Sequence, residues 1–211
     1  LVARLLPETD ECFIVLAPDH KTAELFFKDL SFHHPANGEI FFFPHWGINP
    51  YEPLNPHLEI EATRIVSLAA LQEGRARVVV LPPRALMQRV IPQQVLAELH
   101  ITLKLEEEYN REEILNFLLK LGYNPMSLVE ERGTFSSRGD ILDIFPPTTS
   151  SPVRIEFFGD FVDKIRPFDP VSQRTSKEQL QELKVLPVRE MILTEAHLDL
   201  FSRRLKKRCD E

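Results

Sequence analysis

Residues 132–175, RGTFSSRGDILDIFPPTTSSPVRIEFFGDFVDKIRPFDPVSQRT, carry the pattern that decides the fold of this chain. Their apolar runs alternate with short turn signals, which is typical of consecutive antiparallel strands. The Ser-Ser-Arg-Gly sequence at 136–139 predicts a turn-rich connection, and the Gly-Asp pair at 159–160 predicts a hairpin turn. The Pro-Pro pair at 146–147 ends the strand that begins at Ile141, because proline cannot donate to a strand ladder. The stretch therefore predicts a small antiparallel sheet.

The segment VRIEFF, residues 153–158, alternates with period two. Its odd-numbered side chains predict a buried face, and its even-numbered ones, Arg154, Glu156 and Phe158, predict an outward face. With Arg138 on the preceding connection, a ring lies beside guanidinium groups, as in many protein-binding hot spots. The alternative is that Arg154 pairs with Glu156 or another acid in solvent and that Phe158 covers a second core. The pattern alone favours this alternative, because most outward charges on strands are only solvated.

Residues 1–98 follow a different pattern, in which apolar strands alternate with amphipathic helices. Strands are predicted at residues 12–17, 39–43 and 77–81, the first and third of them buried, and helices at residues 21–30, 57–74 and 84–90. The first helix should place five residues on its apolar side: Ala23, Leu25, Phe26, Phe27 and Leu30. This alternation predicts βαβ units with a parallel sheet.

The composition changes near Leu96, after which residues 100–105 predict a further strand. Asn110 is a typical helix N-cap with Glu113 three residues later, and the helix that follows ends at Gly122. The antiparallel sheet is predicted to pack on the apolar side of this helix. Strand, helix and sheet together form a small α+β unit.

The chain is therefore predicted to have three parts. Residues 1–98 form the first part of an α/β domain, residues 99–186 an inserted α+β domain, and residues 187–211 the return to the α/β domain. A final helix is predicted from Thr194, with a basic run at residues 203–208. The predicted fold class is α/β with an inserted small α+β domain that carries an antiparallel sheet.

Composition and net charge limit the functions expected of this chain and indicate its cellular compartment. The net charge of −7 and the pI near 5.6 argue against a free-standing reader of duplex DNA, which needs a basic surface. The two cysteines, Cys12 and Cys209, lie far apart without a CxxC motif, as expected of a reduced protein. No signal peptide or long apolar run is present, so a cytoplasmic protein without a membrane partner is predicted. His33-His34 lacks the ligand spacing of a zinc site, and no metal site is predicted.

Several long runs resemble the UvrB-like module of bacterial nucleotide-excision repair, in the form found in transcription-repair coupling factors. The inserted domain is matched by SRGDILDIFPP at 137–147 and VRIEFFGDFVDKIRPFDPVSQRT at 153–175. The α/β part is matched by WGINPYEPLNPH at 46–57, RIVSLAAL at 64–71 and LPPRALMQRVIP at 81–92. The resemblance covers nearly the whole chain.

This resemblance implies a fold, a partner and site residues. The α/β part would be a degenerate helicase-type, P-loop-like parallel sheet, and the inserted domain would dock the damage-recognition ATPase UvrA. In this family the contacts come from an arginine in an S/T-R-G loop and from the arginine and second phenylalanine of an R-hydrophobic-D/E-F-F strand. These positions match Arg138, Arg154 and Phe158. For the full-length protein, the resemblance implies an ATP-dependent DNA translocase of helicase superfamily 2, with RNA polymerase and double-stranded DNA as partners.

Nucleotide chemistry is not predicted for this chain. Its sequence contains no G-x-x-x-x-G-K-[ST] motif, and the strand at 78–81 is followed by prolines rather than by an acid that holds Mg²⁺. Trp46 reaches Leu58 through a short proline-rich turn, whereas UvrB has a long aromatic β-hairpin there. We therefore expect no catalytic residues and no cofactor here, with ATP and magnesium in the motor domains of the parent. The alternative is a fragment of a UvrB-type DNA-binding ATPase of the excision complex.

Overall fold

The computed structural model describes residues 11–33, 39–48 and 54–192, together with residues 202, 203, 205, 206 and 208. The helices are α1 His20–His33, α2 Leu58–Gln72, α3 Pro83–Leu86, α4 Gln93–Glu98 and α5 Arg111–Lys120. The strands are β1 Phe13–Leu16, β2 Ile40–Phe42, β3 Val78–Leu81, β4 Ile101–Lys104, β5 Asn124–Pro125, β6 Thr134–Arg138, β7 Ile141–Ile144, β8 Val153–Phe158, β9 Phe161–Pro167 and β10 Glu182–Val185. The start predicted for a last helix, Thr194, lies outside the described residues.

The first part of the chain forms a parallel sheet of β1, β3 and β2 in that order, which confirms the predicted βαβ pattern. Every residue of the central strand β3 is buried, because both of its neighbours and both layers of helix cover it. The likeness of this sheet to helicase-type domains stays a prediction.

The prediction that β1 is a buried strand was wrong for one of its faces. Ile14 and Leu16 are 54% and 55% exposed, because β1 lies at the side of the described sheet and α2 packs over β2 and β3. The predicted apolar side of α1 was also too wide. Leu25 and Phe26 are exposed, since Ala23 and Leu30 with half-buried Phe27 suffice to cover the sheet.

A buried polar network on α2 was not predicted. The guanidinium of Arg64 is fully buried and forms an ion pair with Glu190. Arg64 Nη1 also donates to the carbonyl oxygen of Pro44 at 2.7 Å, and its guanidinium lies 4.2 Å from the ring centroid of Phe43. Trp46 Nε1 donates to Glu190 at 3.1 Å, so Trp46 packs within the fold. The network fastens the segment after β10 to α2.

The strand predicted at 100–105 is β4, and it pairs antiparallel with β10 in a separate two-stranded sheet. The sequence analysis did not predict β10. Its segment, ELKV at 182–185, is short and half charged, so it lacks a strong strand pattern. A short helix at 93–98, α4, was likewise not predicted.

The remaining strands form a five-stranded sheet in the order β5-β6-β7-β8-β9. Its last four strands are antiparallel neighbours joined by hairpins, as predicted. The predicted turn-rich connection at 136–139 was too long, since β6 continues through Arg138 and the turn holds Gly139 and Asp140 alone. Gly139, with φ +53°, adopts the left-handed conformation that a two-residue hairpin turn requires.

The inner face of this sheet packs on α5, as predicted. Asn110 accepts hydrogen bonds from the amides of Glu112 and Glu113, which confirms it as the N-cap. The buried residues that α5 and its C-terminal turn contribute are Ile114, Leu118 and Leu121. They share one core with residues from the sheet: Leu142, Ile144, Val153, Ile155, Phe157, Val162 and Ile165. A register shift after Glu156 lets both Val162 and Ile165 face this core, although they lie three residues apart.

Candidate protein-binding surface

The face of the five-stranded sheet opposite α5, called here the outer face, carries the predicted site residues. Strand register arranges its side chains in three rows. The first row is Ser136, Asp143, Arg154 and Arg166. The second row is Arg138, Ile141, Glu156 and Lys164, and the third is Phe158 and Phe161. Arg138, Arg154 and Phe158 are therefore brought onto one face from two different strands.

Phe158 is the most prominent apolar group of the outer face. It ends β8 directly before the turn at Gly159 and is 84% exposed, whereas its neighbour Phe157 is buried. Phe161 lies opposite it across the hairpin and is 36% exposed. The two rings present an apolar end of a hairpin whose backbone is held by strand pairing, so the site requires little ordering on contact.

Asp143 lies at the centre of the first row, and its carboxylate is buried beneath two arginines. Arg154 Nε donates to Oδ1 of Asp143 at 2.7 Å, and Arg154 Nη2 donates to Oδ2 at 2.8 Å. This is a bidentate pair, the geometry in which a guanidinium binds a carboxylate most strongly. The hydrogen bonds from Arg154 to Asp143 raise the pKa of Arg154 further above its usual value, against the opposing effect of burial.

Further contacts hold Arg154 in place from the loop after β9. Arg154 Nη1 donates to the carbonyl oxygen of Gln173 at 3.3 Å, and its guanidinium lies 4.7 Å from the ring centroid of Phe168. Only 16% of the Arg154 side chain is exposed. Because three donors and one face of the guanidinium are engaged within the domain, little of Arg154 is available to a partner.

Arg138 is held differently, although it approaches the same carboxylate. Its Nη2 lies 3.4 Å from Asp143 Oδ2, and 54% of its side chain is exposed. Arg111 fixes the turn after Arg138, donating to Asp140 at 3.4 Å and to Ser137 Oγ at 3.2 Å. The backbone at Arg138 is thus anchored while the tip of its side chain reaches solvent.

The second carboxylate of the outer face, Glu156, is also paired within the sheet. It accepts hydrogen bonds from Arg166 and, at 3.4 Å, from Lys164. Burial alone would raise the pKa of Glu156, but the hydrogen bonds and charges of Arg166 and Lys164 outweigh it and lower that pKa. Both acids of this face are neutralised internally. The two rings and the tip of Arg138 are exposed, whereas the amine of Lys164, 43% exposed, is paired with Glu156 and Asp163.

Comparison with known proteins places this surface in a known domain. Residues 101–191 match the family model described as the UvrB interaction domain. This part of the chain is a UvrB interaction domain.

The whole chain is homologous to part of the transcription-repair-coupling factors. It is 35% identical over 201 residues to that of Myxococcus xanthus, which covers 92% of this chain and 17% of the relative. The protein of Escherichia coli strain K12 is 30% identical over 201 residues, covering 95% of this chain and 17% of the relative. That of Haemophilus influenzae is 29% identical over 210 residues, covering 100% and 18%. The chain therefore spans less than a fifth of the length of these relatives.

Three features of the UvrB interaction domain were missed or misjudged from the sequence. The acid that pairs with Arg154 is Asp143, whereas the sequence named only Glu156 or another acid. Gln173 was not singled out from the sequence, yet its backbone carbonyl oxygen accepts a hydrogen bond from Arg154. Phe161 was not singled out, because a lone aromatic at a hairpin gives no sign of its exposure. The pairing of Asp143 with Arg154 follows from the register of β7 with β8, since the two residues are direct cross-strand partners.

Other chemistry considered for this region is not assembled by the fold. Asp140 and Asp143 do not converge on one site: Asp140 is an exposed turn residue that pairs with Arg111, and Asp143 is buried. Within the part of the chain that the structure describes, no group of three His, Cys, Asp or Glu side chains is placed to hold a metal. Across those same residues, none of the helices has the length and apolar character needed to cross a bilayer.

Proposed function

We propose that this chain is the UvrA-docking module of a transcription-repair coupling factor. It binds UvrA through the surface that contains Arg138, Arg154 and Phe158, and thereby brings nucleotide-excision repair to RNA polymerase stalled at DNA damage. The observation that carries the proposal is the exposure of Phe158, 84%, on a sheet whose other large side chains are mostly packed or paired. Homology to transcription-repair-coupling factors supports it, and so does the match to the UvrB interaction domain.

The chemistry of the surface specifies the kind of contact. Hot spots of protein interfaces are enriched in aromatic residues and arginine that fill desolvated pockets, and truncating such an anchor costs about 2 kcal/mol or more of binding free energy. Phe158 has the exposure to serve as that anchor in a pocket of UvrA, with Phe161 at its side. The exposed tip of Arg138 suits a carboxylate of UvrA, because charge-assisted hydrogen bonds are the stronger ones. Arg154 contributes mainly by holding the outer face in shape.

The proposal assigns no nucleotide chemistry to these residues. ATP hydrolysis, magnesium binding, DNA translocation and the contact with RNA polymerase belong to other parts of the full-length protein. The absence of a P-loop sequence within this chain is consistent with that division. The net charge of −7 is consistent with a module that binds a protein rather than DNA.

A binding measurement with purified cognate UvrA tests the proposal. Phe158→Ala should weaken binding by about 30-fold, the equivalent of one hot-spot anchor. Leu119→Ala is the matched control, since Leu119 is an exposed apolar residue on α5, away from the outer face. Calorimetric titrations in which Phe158→Ala binds as tightly as wild type, with an unchanged fold, would overturn the proposal.

A further inference from the structure

The two arginines that share Asp143 are held to very different extents. Arg154 makes both of its hydrogen bonds to Asp143 at 2.8 Å or less and is mostly covered. Arg138 approaches the same carboxylate at 3.4 Å, a weak contact, and is mostly exposed. Asp143 itself is 1% exposed, so water contributes little to stabilising its charge.

A buried carboxylate needs a cationic partner, because an uncompensated buried charge is strongly destabilising. Arg154 meets this need with a bidentate pair, so Asp143 does not require Arg138 as a second partner. Strand geometry still keeps Arg138 within reach. Its direct cross-strand neighbour is Ile141, and Asp143 is the next residue of β7 on the same face.

We propose that Arg154 is a positioning residue, whose occupation of Asp143 keeps the guanidinium of Arg138 available to a carboxylate of the partner. Arg138 is the cation that touches the partner, and Asp143 is the acid for which the two arginines compete. This inference rests on the proposed function for its binding readout. It also makes a statement about the free domain, which can be measured without any partner.

Removal of Arg154 should change the position of the Arg138 side chain. Asp143 then draws Arg138 inward, the 3.4 Å contact becomes a close ion pair, and the outer face loses the exposed guanidinium of Arg138. A second change, Asp143→Asn, removes the negative charge that captures Arg138. Binding that was lost with Arg154 should then return, even though the residue itself is still absent.

The experiment is a set of affinities for purified UvrA, with thermal melting as a check on the fold. Arg154→Met keeps the apolar stem over Phe168 and should weaken binding by about 30-fold, as should Arg138→Ala. The double variant Asp143→Asn/Arg154→Met should bind within about threefold of wild type. Adding Arg138→Ala should cost less than about threefold in the Arg154→Met background but about 30-fold in the double variant.

A partner-free measurement separates this inference from the proposed function. In proton-exchange NMR, the Arg138 guanidinium protons should exchange more slowly in Arg154→Met than in wild type, and fast again in the double variant. If wild type fails to bind UvrA, the proposed function falls, while the exchange rates still decide the competition for Asp143. If Arg154→Met does not fold, Arg154→Lys replaces it, since lysine cannot form the bidentate pair, and the same order is expected.

Two results would overturn the inference. One is a folded double variant that binds as weakly as Arg154→Met alone, which would mean that Arg154 contacts the partner itself. The other is an Arg138 exchange rate that does not change when Arg154 is removed. Either result leaves the docking role of Phe158 to be judged by its own variant.

Discussion

Replacing Arg64 by methionine should destabilise the chain by about 3–5 kcal/mol, the usual cost of orphaning one member of a buried ion pair. The side chain of Arg64 is fully buried and that of Glu190 is 6% exposed, so water cannot solvate either charge once the ion pair is broken. Methionine also leaves the carbonyl oxygen of Pro44 without its 2.7 Å donor, a further loss of about 1 kcal/mol. Since domains of this kind unfold with about 5–15 kcal/mol in total, the loss is a large part of the stability.

Urea denaturation of the wild type and three variants measures this effect. Arg84→Met is the matched control, because Arg84 is exposed on α3, and it should change the unfolding free energy by less than about 0.5 kcal/mol. Arg64→Met/Glu190→Gln should recover about half of the loss or more, since it removes the orphaned charge. An Arg64→Met variant as stable as the Arg84 control would refute the claim that this network fastens the segment after β10 to α2.

Two further perturbations test the UvrB interaction domain itself. The ionised Glu156 stabilises the fold, because the pKa of its carboxyl is lower in the folded than in the unfolded state. This stabilisation is complete above the unfolded-state pKa and is lost as the pH falls through the folded-state pKa. Glu156→Gln should therefore flatten the acid limb of a plot of unfolding free energy against pH, and an unchanged limb would contradict the assigned pairing. Gly139→Ala should cost about 1 kcal/mol in denaturant melts, because φ is +53° and no atom lies within 4 Å of an added Cβ. A loss several times larger would point to a clash instead.

The elements of the UvrB interaction domain were largely predictable because their signals are local. The alternation in β8, the turn at Gly159-Asp160 and the Asn110 cap each act within a few residues, and each was found where the sequence places it. The turn at 139–140 was drawn too long, since serine and arginine tolerate both turns and strand ends. Strand register then places Arg138 and Phe158 on one face, which the sequence pattern also anticipated.

The features that the sequence did not reveal depend on contacts between distant residues. Arg64 and Glu190 are 126 positions apart, and nothing local to either indicates that the two charges are buried together. β10 became a strand because β4 offered a free edge, not because its own residues favour one. The exposure of Ile14 and Leu16 likewise reflects where α2 lies on the sheet rather than the apolar run they belong to.

Hydroxyl-radical footprinting of Phe158, with and without UvrA, tests the docking account most directly. Free, this ring is 84% exposed and should be oxidised readily, and exposed Leu119 on α5 serves as the internal reference. At saturating UvrA, the account predicts that oxidation of Phe158 falls severalfold while that of Leu119 stays the same. A Phe158 oxidised at its free rate within a saturated complex would contradict the claim that this ring is the docking anchor.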